Sequence, residues 1–235
     1  MRLDKFFSTM GLLSRKETAA AARAGRITVN GEVIRRADGH IDEQRDRIAL
    51  DGTPLCYAEF DYFWLNKPEG YVSATEDGRF PCVTELLPPP YDKRGLFPCG
   101  RLDRDTVGLM LLTNDGELSH RLLTPRHHVE KEYRFTCDAP LSADAEEHFS
   151  EGIALGGEVC KPASLACDGD RCGGVITLTE GKYHQIKRMV EACGSHVTYL
   201  ERISFAGMAL DPSLARGELR PLTEEEIERL RHAAD

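Results

Sequence analysis

The sequence contains no apolar run that approaches the roughly 20 residues needed to cross a bilayer as a helix. Its first residues, MRLDKFFSTMGLLSRKE, also lack the uninterrupted apolar core of a secretion signal, because charged side chains interrupt them. We therefore expect a soluble protein of the cytoplasm that has no membrane partner. A chain of 235 residues can form one large domain or a small module joined to a larger one.

Cofactor-binding patterns are also missing from the sequence. Its eight cysteines are scattered through apolar segments, without a CxxC pair or a Cys/His cluster of metal-ligand spacing. It shows no glycine-rich nucleotide-binding loop, no internal repeat and no low-complexity segment. We predict reduced, mostly buried thiols, no metal and no cofactor.

The chain has no overall excess of positive charge, which at first argues against a nucleic-acid partner. Its net charge is −9, but this charge is unevenly distributed: residues 1–55 carry +2, and the rest of the chain carries −11. Local basic surfaces, which are what bind phosphate, are therefore compatible with the acidic total.

The first part of the chain predicts two short helices followed by a hairpin. Ser14 and Glu17 have the spacing of a capping box at the start of the second helix, and Gly25 is a candidate stop. The segment ITVNGEVI then alternates around Asn30-Gly31, a strong two-residue hairpin signal. Basic residues gather on and beside the two helices: Arg2, Lys5, Arg15, Lys16, Arg23 and Arg26.

The pattern RLDKFF...GLLSRKETAAAARAGRITVNGEVI closely resembles the S4 RNA-binding domain, over about residues 1–50. The resemblance implies that the six basic residues bind structured RNA, whereas charge alone would favour a merely solvated basic face. Residues 51–60 contain one turn signal and predict a short linker. We therefore expect an S4-like α/β module at 1–55, a linker at about 56–60 and a second domain at 61–235.

The second part predicts an α+β fold with a largely antiparallel mixed sheet flanked by helices. The predicted strands are 60–66, 95–100, 108–113, 131–137, 174–179 and 196–205. The predicted helices are 115–123, 142–150, 183–193 and 223–232.

Two stretches of this part combine charged or aromatic residues with strand or loop ends. In GRLDRDTVGLMLLTNDG, Asp103 lies between Arg101 and Arg104, and flanking positive charge favours an ionised carboxylate that could act as a nucleophile. In KEYRF, alternation puts Lys131 and Tyr133 on one strand face, where the tyrosine could stack on a base. Taken singly, the first stretch is better explained as a loop salt bridge and the second as a half-buried strand aromatic.

A third stretch, EGKYHQIKRMVEACG, predicts an amphipathic helix. His184 and Lys187 share its polar face, since they are three residues apart. Lys182, Lys187 and Arg188 near the helix start could hold phosphate or pair with a carboxylate. By itself this stretch is better explained as a solvated cationic face.

Together, in their order and spacing, GRLDRDTVGLMLLTNDGELSHRLL, HHVEKEYRF and EGKYHQIKRM resemble the RNA pseudouridine synthases of the RsuA group. The match begins at about FWLNKPEGYVSA and runs to the end of the chain. It implies that Asp103 is the essential aspartate and that Tyr133 stacks on the target base and assists proton removal. It also implies that Lys187 pairs with the aspartate; a lysine is a point charge, so a bidentate pair is excluded.

The same resemblance implies further contacts around the site. Arg104 is the candidate for holding the flipped base, and Leu200 is a weaker match to an apolar residue packed under the active site. The other residues that we expect to bind substrate RNA are Arg101, Lys131, Lys182, His184, Gln185 and Arg188.

The implied reaction is isomerisation of a uridine within RNA to pseudouridine, without a cofactor. The N1–C1′ bond is cut, the uracil rotates while held, and C5 rejoins C1′. Asp103 could act as a nucleophile or assist formation of a glycal, and the sequence leaves both open.

The substrate prediction depends on one stretch, YHQIKRMVEACGSHVTYLERISFAGMALD. Its likeness, particularly at Tyr183-His184-Gln185, is to the enzymes that modify uridine 516 of 16S rRNA. We therefore predict 16S rRNA as the partner, free or in a small-subunit assembly intermediate, and a monomeric protein. Two alternatives stay open: a large-subunit (23S) rRNA synthase of the same family, and a non-catalytic S4-type RNA-binding protein of ribosome assembly.

Overall fold

A computed structural model describes residues 1–124 and 127–234. The chain divides into two compact units. The first unit comprises Met1–Asp61 and Leu87–Leu96, and the second comprises Tyr62–Leu86 and Phe97–Asp235. In the described part of the chain, no helix combines the length and the apolar character needed to cross a membrane.

The first unit packs two helices against a small antiparallel sheet. Its elements are α1 (Leu3–Thr9), α2 (Arg15–Arg23), β1 (Ile27–Val29), β2 (Glu32–Val33), β3 (Ile48–Leu50) and β4 (Thr53–Leu55), with strand order β2-β1-β3-β4. The predicted capping box is present: the Ser14 hydroxyl accepts from the Glu17 N–H, and the Glu17 carboxylate accepts from the Ser14 N–H. Leu3, Phe6 and Phe7 are almost fully buried in the core of this unit.

The prediction that residues 51–60 form a linker is wrong for its first half. Thr53–Leu55 is a strand, and it pairs with Ile48–Leu50 across a turn formed by Asp51 and Gly52. Both turn residues have positive φ, 51° and 79°, as a two-residue type I′ hairpin turn requires. The segment Leu87–Leu96, which the sequence assigned to the second domain, also belongs to the first unit.

The second unit is built around a mixed sheet. Its strands are β5 (Tyr62–Lys67), β6 (Phe97–Pro98), β7 (Val107–Thr113), β8 (Lys131–Cys137), β9 (Ala154–Leu155), β10 (Glu158–Val159), β11 (Ser164–Cys167), β12 (Gly173–Leu178), β13 (Val197–Phe205), β14 (Met208–Ala209) and β15 (Leu219–Pro221). Its helices are α3 (Gly116–Leu123), α4 (Ala145–Glu151), α5 (Gln185–Ala192) and α6 (Glu224–Ala233).

The large sheet has the order β11-β12-β8-β13-β7-β5-β15, and β9 and β10 form a separate hairpin. The pairing of β13 with β7 is parallel, whereas the other pairings along this order are antiparallel. The predicted α+β class with a largely antiparallel mixed sheet is confirmed. The predicted strand at 95–100 is reduced to Phe97–Pro98, because only these two residues pair with β7.

The centre of the sheet requires a glycine. Gly108 on β7 has φ +101°, and a Cβ there would overlap the Arg202 carbonyl oxygen and lie 2.9 Å from the Arg202 nitrogen on β13. The close parallel contact between β7 and β13 therefore depends on the missing side chain. Because β7 follows the loop that carries Asp103, this contact also fixes where that loop ends.

The thiols agree with the prediction of free cysteines. All eight are free; Cys82, Cys99, Cys137, Cys160 and Cys193 are buried, and Cys56 alone is exposed.

Candidate active site

Asp103 lies in the loop between β6 and β7, and the turn that follows it is closed by a hydrogen bond from the Thr106 N–H to the Asp103 carbonyl (3.1 Å). The Asp103 side chain is 30% exposed, whereas the preceding Leu102 is buried. The carboxylate is thus presented at the surface by a loop whose root is packed into the protein.

Ser73 fixes the backbone just before Asp103. Its hydroxyl donates to the Leu102 carbonyl (2.7 Å) and accepts from the Leu102 N–H (3.0 Å). One side chain therefore satisfies both backbone polar groups of the residue that precedes the carboxylate, which leaves that residue little freedom to rotate.

Lys67 fixes the backbone just after Asp103. Its side chain is fully buried, and its ammonium donates to the carbonyls of Thr106 (2.8 Å), Arg104 (3.3 Å) and Pro68 (3.1 Å). Burial lowers the pKa of Lys67 to about 8, against the opposing influence of the carboxylates of Asp105 and Asp103. Lys67 and Ser73, which lie six positions apart, therefore fix the backbone on both sides of Asp103.

The predicted pairing of Lys187 with Asp103 is present, and the structure adds a second carboxylate. The Lys187 ammonium lies 3.2 Å from Asp103 Oδ2 and 2.7 and 2.9 Å from the two oxygens of Asp105. Burial opposes the charge of Lys187, but its hydrogen bonds to Asp105 and Asp103 outweigh burial and raise the pKa of the ammonium. The same contact lowers the pKa of Asp105 despite partial burial. Lys187 therefore stays cationic beside Asp103.

His184 contacts the other oxygen of the carboxylate. Its Nε2 lies 3.5 Å from Asp103 Oδ1, and the side chain is 38% exposed. The backbone of His184 has φ +48° and ψ +36°, the left-handed conformation, at the N-cap of α5. Asp103 is therefore flanked by two side chains from the start of one helix, as their three-residue spacing permits.

Tyr133 is buried in the middle of β8, 8% exposed, opposite Ile176 on β12 and Arg202 on β13. Leu200 is also buried, and it pairs with Phe135, two residues further along β8. The sheet thus places the predicted tyrosine and the predicted packing residue on adjacent strands.

The two arginines that flank Asp103 are both exposed. The Arg104 guanidinium lies over the Phe80 ring, 4.4 Å from its centroid, and Arg79 lies over the same ring at 5.0 Å. The Asp77 carboxylate accepts from the N–H groups of Arg79 and Phe80, which fixes this loop. The contact of this Asp77–Phe80 loop with Arg104 was not predicted from the sequence.

Two residues predicted to contact RNA are buried instead. The Lys131 ammonium donates to the Val129 carbonyl (2.8 Å), and burial lowers its pKa to about 8. The Gln185 side chain bonds to Glu180 (2.7 Å) and to the Lys182 N–H (2.8 Å). Lys131 faces the core like the next alternate residues of its strand, and the polar atoms of Gln185 are used within the protein.

The remaining predicted RNA contacts lie at or near the surface. Lys182 forms an ion pair with Glu158 (3.2 Å), and Arg188 is half-buried. In the first unit all six basic residues of the helix pair are exposed. Two of these six, Arg2 and Arg26, are paired with Asp4 and Asp51.

Comparison with known proteins agrees with this arrangement. The family model described as RNA pseudouridylate synthase matches residues 61–192, and that of the S4 domain matches residues 1–42. The chain is 44% identical over 230 residues to the ribosomal small subunit pseudouridine synthase A of Escherichia coli K12, covering 97% of this chain and 98% of the relative. It is 43% identical to an uncharacterised RNA pseudouridine synthase of Bacillus subtilis, covering 97% of both chains. A solved pseudouridylate synthase structure is 40% identical, covers 98% of this chain and 99% of its own, and superposes with a TM-score of 0.69.

Proposed function

Since the chain belongs to the RNA pseudouridylate synthase family and is an RNA-modifying isomerase with an S4 domain, we propose that it converts uridine 516 of 16S rRNA to pseudouridine, with Asp103 as the essential group. The observation that carries the residue assignment is the placement of the Asp103 carboxylate: partly exposed, held by its backbone, and flanked by Lys187 and His184.

The reaction needs no group other than protein and RNA. The N1–C1′ bond of the target nucleoside breaks, the uracil turns while it is held, and C5 bonds to C1′; the hydrogen on C5 is then lost as a proton, and N1 gains one. Asp103 acts at C1′ as a nucleophile or assists glycal formation. The ammonium of Lys187 lies 3.2 Å from Asp103 Oδ2 and places a positive charge beside the carboxylate.

In this proposal the bound base is supported by the part of Tyr133 that is not buried, since the side chain is 8% exposed. The target uridine must leave its stack before Asp103 can reach it, at a cost of a few kcal/mol. Stacking on an aromatic side chain contributes about 1–3 kcal/mol per base and offsets much of that cost. Arg104, exposed beside Asp103 and resting on Phe80, is the candidate for holding the flipped base.

The small-subunit target is supported by the names of the relatives that match nearly the full length of the chain. The stretch Tyr183-His184-Gln185 supports it as well through its likeness to the enzymes that modify uridine 516. The exposed basic residues of the first unit would add affinity through phosphate contacts that weaken with salt. The substrate is free 16S rRNA or a small-subunit assembly particle, and we propose that the protein acts as a monomer in the cytoplasm.

The test is carbodiimide labelling of pseudouridine followed by primer extension across 16S and 23S rRNA. Asp103→Asn should abolish the signal and leave RNA affinity nearly unchanged, because the substitution keeps the shape of the side chain. The matched variant is Asp105→Asn, which removes the other carboxylate bound to Lys187; it should still form pseudouridine, at a reduced rate.

The same experiment decides between the alternatives. A wild-type signal from Asp103→Asn would overturn the catalytic assignment. A signal in 23S rRNA only would identify a large-subunit enzyme. No signal from the wild-type protein on free rRNA or on assembly particles would favour a non-catalytic role in assembly.

A further inference from the structure

Tyr183 is the most exposed large apolar side chain in the described part of the chain. Its relative exposure is 76%, against 65% for Val159 and less for the others of this kind. A tyrosine combines a large aromatic contact area with a polar end, so an exposed ring can serve as a contact surface.

The exposed ring is stacked on the histidine of the active site. The rings of Tyr183 and His184 are nearly parallel, with centroids 3.9 Å apart and an interplanar angle of 17°. The imidazole covers one face of the tyrosine, so the other face is the one open to solvent. The Nε2 atom of the same imidazole lies 3.5 Å from Asp103 Oδ1. Two contacts therefore connect the open tyrosine face to the catalytic carboxylate.

The stack is held in place by the backbone around it. His184 adopts the left-handed conformation, which histidine enters more readily than most residues but which still has an energetic cost. On either side, the buried Gln185 side chain bonds to Glu180 and to the Lys182 N–H. A rigid aromatic surface loses little conformational entropy when a ligand binds to it.

The ligand that fits this surface is a nucleobase. A flat, exposed ring beside an RNA-modifying carboxylate offers stacking to any base, since every base has a π face. The target nucleoside itself must reach Asp103, whose Oδ1 contacts His184 Nε2, whereas the open tyrosine face is the one that the imidazole does not cover. The base that meets the open face therefore belongs to a neighbouring nucleotide.

We propose that the open face of the Tyr183–His184 stack binds the nucleobase adjacent to the target uridine. This inference rests on the proposed function, since it takes Asp103 as the place where the target uridine reacts. It assigns to Tyr183 a role in substrate binding that is separate from the chemistry.

The expected size of the effect follows from stacking energies. A loss of about 1–3 kcal/mol of stacking corresponds to roughly 5- to 150-fold in affinity. Tyr183→Ala should raise KM and the dissociation constant for RNA by that factor, with a smaller change in kcat. Tyr183→Phe keeps the ring and should behave like the wild type. Tyr199→Ala, which removes another exposed tyrosine of the second unit, is the control.

The experiment uses the full chain and rRNA fragments around uridine 516, intact or with one abasic nucleotide on its 5′ or its 3′ side. At one of these two positions, the abasic RNA should bind wild type and Tyr183→Ala equally weakly, because the stacking partner is already gone. Equal KM values for wild type and Tyr183→Ala on intact RNA would overturn the proposal. So would a Tyr183→Ala effect that persists unchanged on both abasic RNAs.

A direct readout separates this proposal from the proposed function. When 2-aminopurine replaces the adjacent base, its fluorescence should be quenched on binding to the wild type and not on binding to Tyr183→Ala. If the wild type forms no pseudouridine but the quenching depends on Tyr183, the stacking site stands and the assigned reaction fails. If the wild type forms pseudouridine and quenching is the same in both proteins, the stacking site is wrong and the assigned reaction stands.

Discussion

The loop that carries Asp103 is held by a serine whose hydroxyl bonds to the main chain, and removing that hydroxyl tests whether backbone position matters for activity. The Ser73 hydroxyl is 2.7 Å from the Leu102 carbonyl and 3.0 Å from the Leu102 nitrogen. Ser73→Ala deletes both hydrogen bonds and adds no bulk. Leu102 is buried, so water replaces the lost partner poorly.

The magnitude follows from the two contacts. Each contributes about 0.5–1.5 kcal/mol net, so the pair contributes about 1–3 kcal/mol. If this free energy serves to keep the Asp103 carboxylate in its reactive position, its loss lowers the rate about 5- to 150-fold, at 1.36 kcal/mol per factor of ten. KM should stay close to the wild-type value, because Ser73 donates to the protein's own backbone and not to RNA.

The assay is release of tritium from RNA that contains [5-³H]uridine, since the C5 hydrogen leaves when C5 bonds to C1′. Ser73→Thr keeps the hydroxyl and should recover most of kcat. Ser150→Ala removes a hydroxyl that donates to the Glu147 carbonyl at the exposed end of α4, and it should leave kcat unchanged. The reasoning is refuted by wild-type kcat in Ser73→Ala. It is also refuted if Ser73→Thr is no better than Ser73→Ala and a fall in melting temperature accounts for the whole loss.

Two further predictions concern stability. Gly108→Ala forces a Cβ onto the Arg202 backbone at φ +101°, so strain and overpacking should destabilise the protein by about 2–5 kcal/mol. Gly116→Ala, where a Cβ meets nothing within 4 Å, should not, and equal melting temperatures for the two variants would contradict the argument. Lys67 and Lys131, whose pKa values are lowered by burial from 10.5 to about 8, bind fewer protons folded than unfolded between these pH values. The free energy of unfolding should therefore gain up to roughly 3 kcal/mol per lysine as pH rises from 8 to 10.5. Lys131→Met should remove the part of this increase in the free energy of unfolding that Lys131 contributes. Urea unfolding at the two pH values measures it, and an increase as large as that of the wild type would show that Lys131 is not a source.

The elements that the sequence predicted best are those with a strong periodic or apolar pattern. The run VGLMLLT is β7 and KEYRFTC is β8, each within a residue of the prediction. Short strands of the second unit were missed, namely β9, β10, β11, β14 and β15. Two to four residues carry too little pattern to be distinguished from a loop, and only pairing with a neighbour makes them strands.

One error was avoidable from the residues alone. The segment IALDGTPL contains Asp-Gly between two short runs, the same kind of signal that correctly predicted the hairpin at Asn30-Gly31. It was interpreted as part of a linker because residues 51–60 contain one turn signal and no repeat. The pairing with β3 outweighs that weak local pattern.

The site was predictable only in part, because its contacts join distant segments. Asp103 and Lys187 are 84 positions apart, and family resemblance, not local physical chemistry, predicted that they pair. Asp105 belongs to the same motif, but its hydrogen bond with Lys187 depends on where α5 begins. Ser73 and Lys67 lie in FWLNKPEGYVSA, a stretch that showed resemblance but offered no chemical reason to choose these two residues before their carbonyl partners were known.

The residues that fix the backbone around Asp103 are different from those that contact its carboxylate. The backbone on both sides of the residue is fixed by Ser73 and Lys67, which bond to main-chain atoms and not to the carboxylate. The carboxylate oxygens contact two charged or titratable side chains, Lys187 and His184, and the lysine is shared with Asp105. A shared point charge cannot impose one orientation on a carboxylate as a bidentate arginine would. The buried lysine and the serine therefore supply the geometric precision that the lysine–aspartate pair lacks.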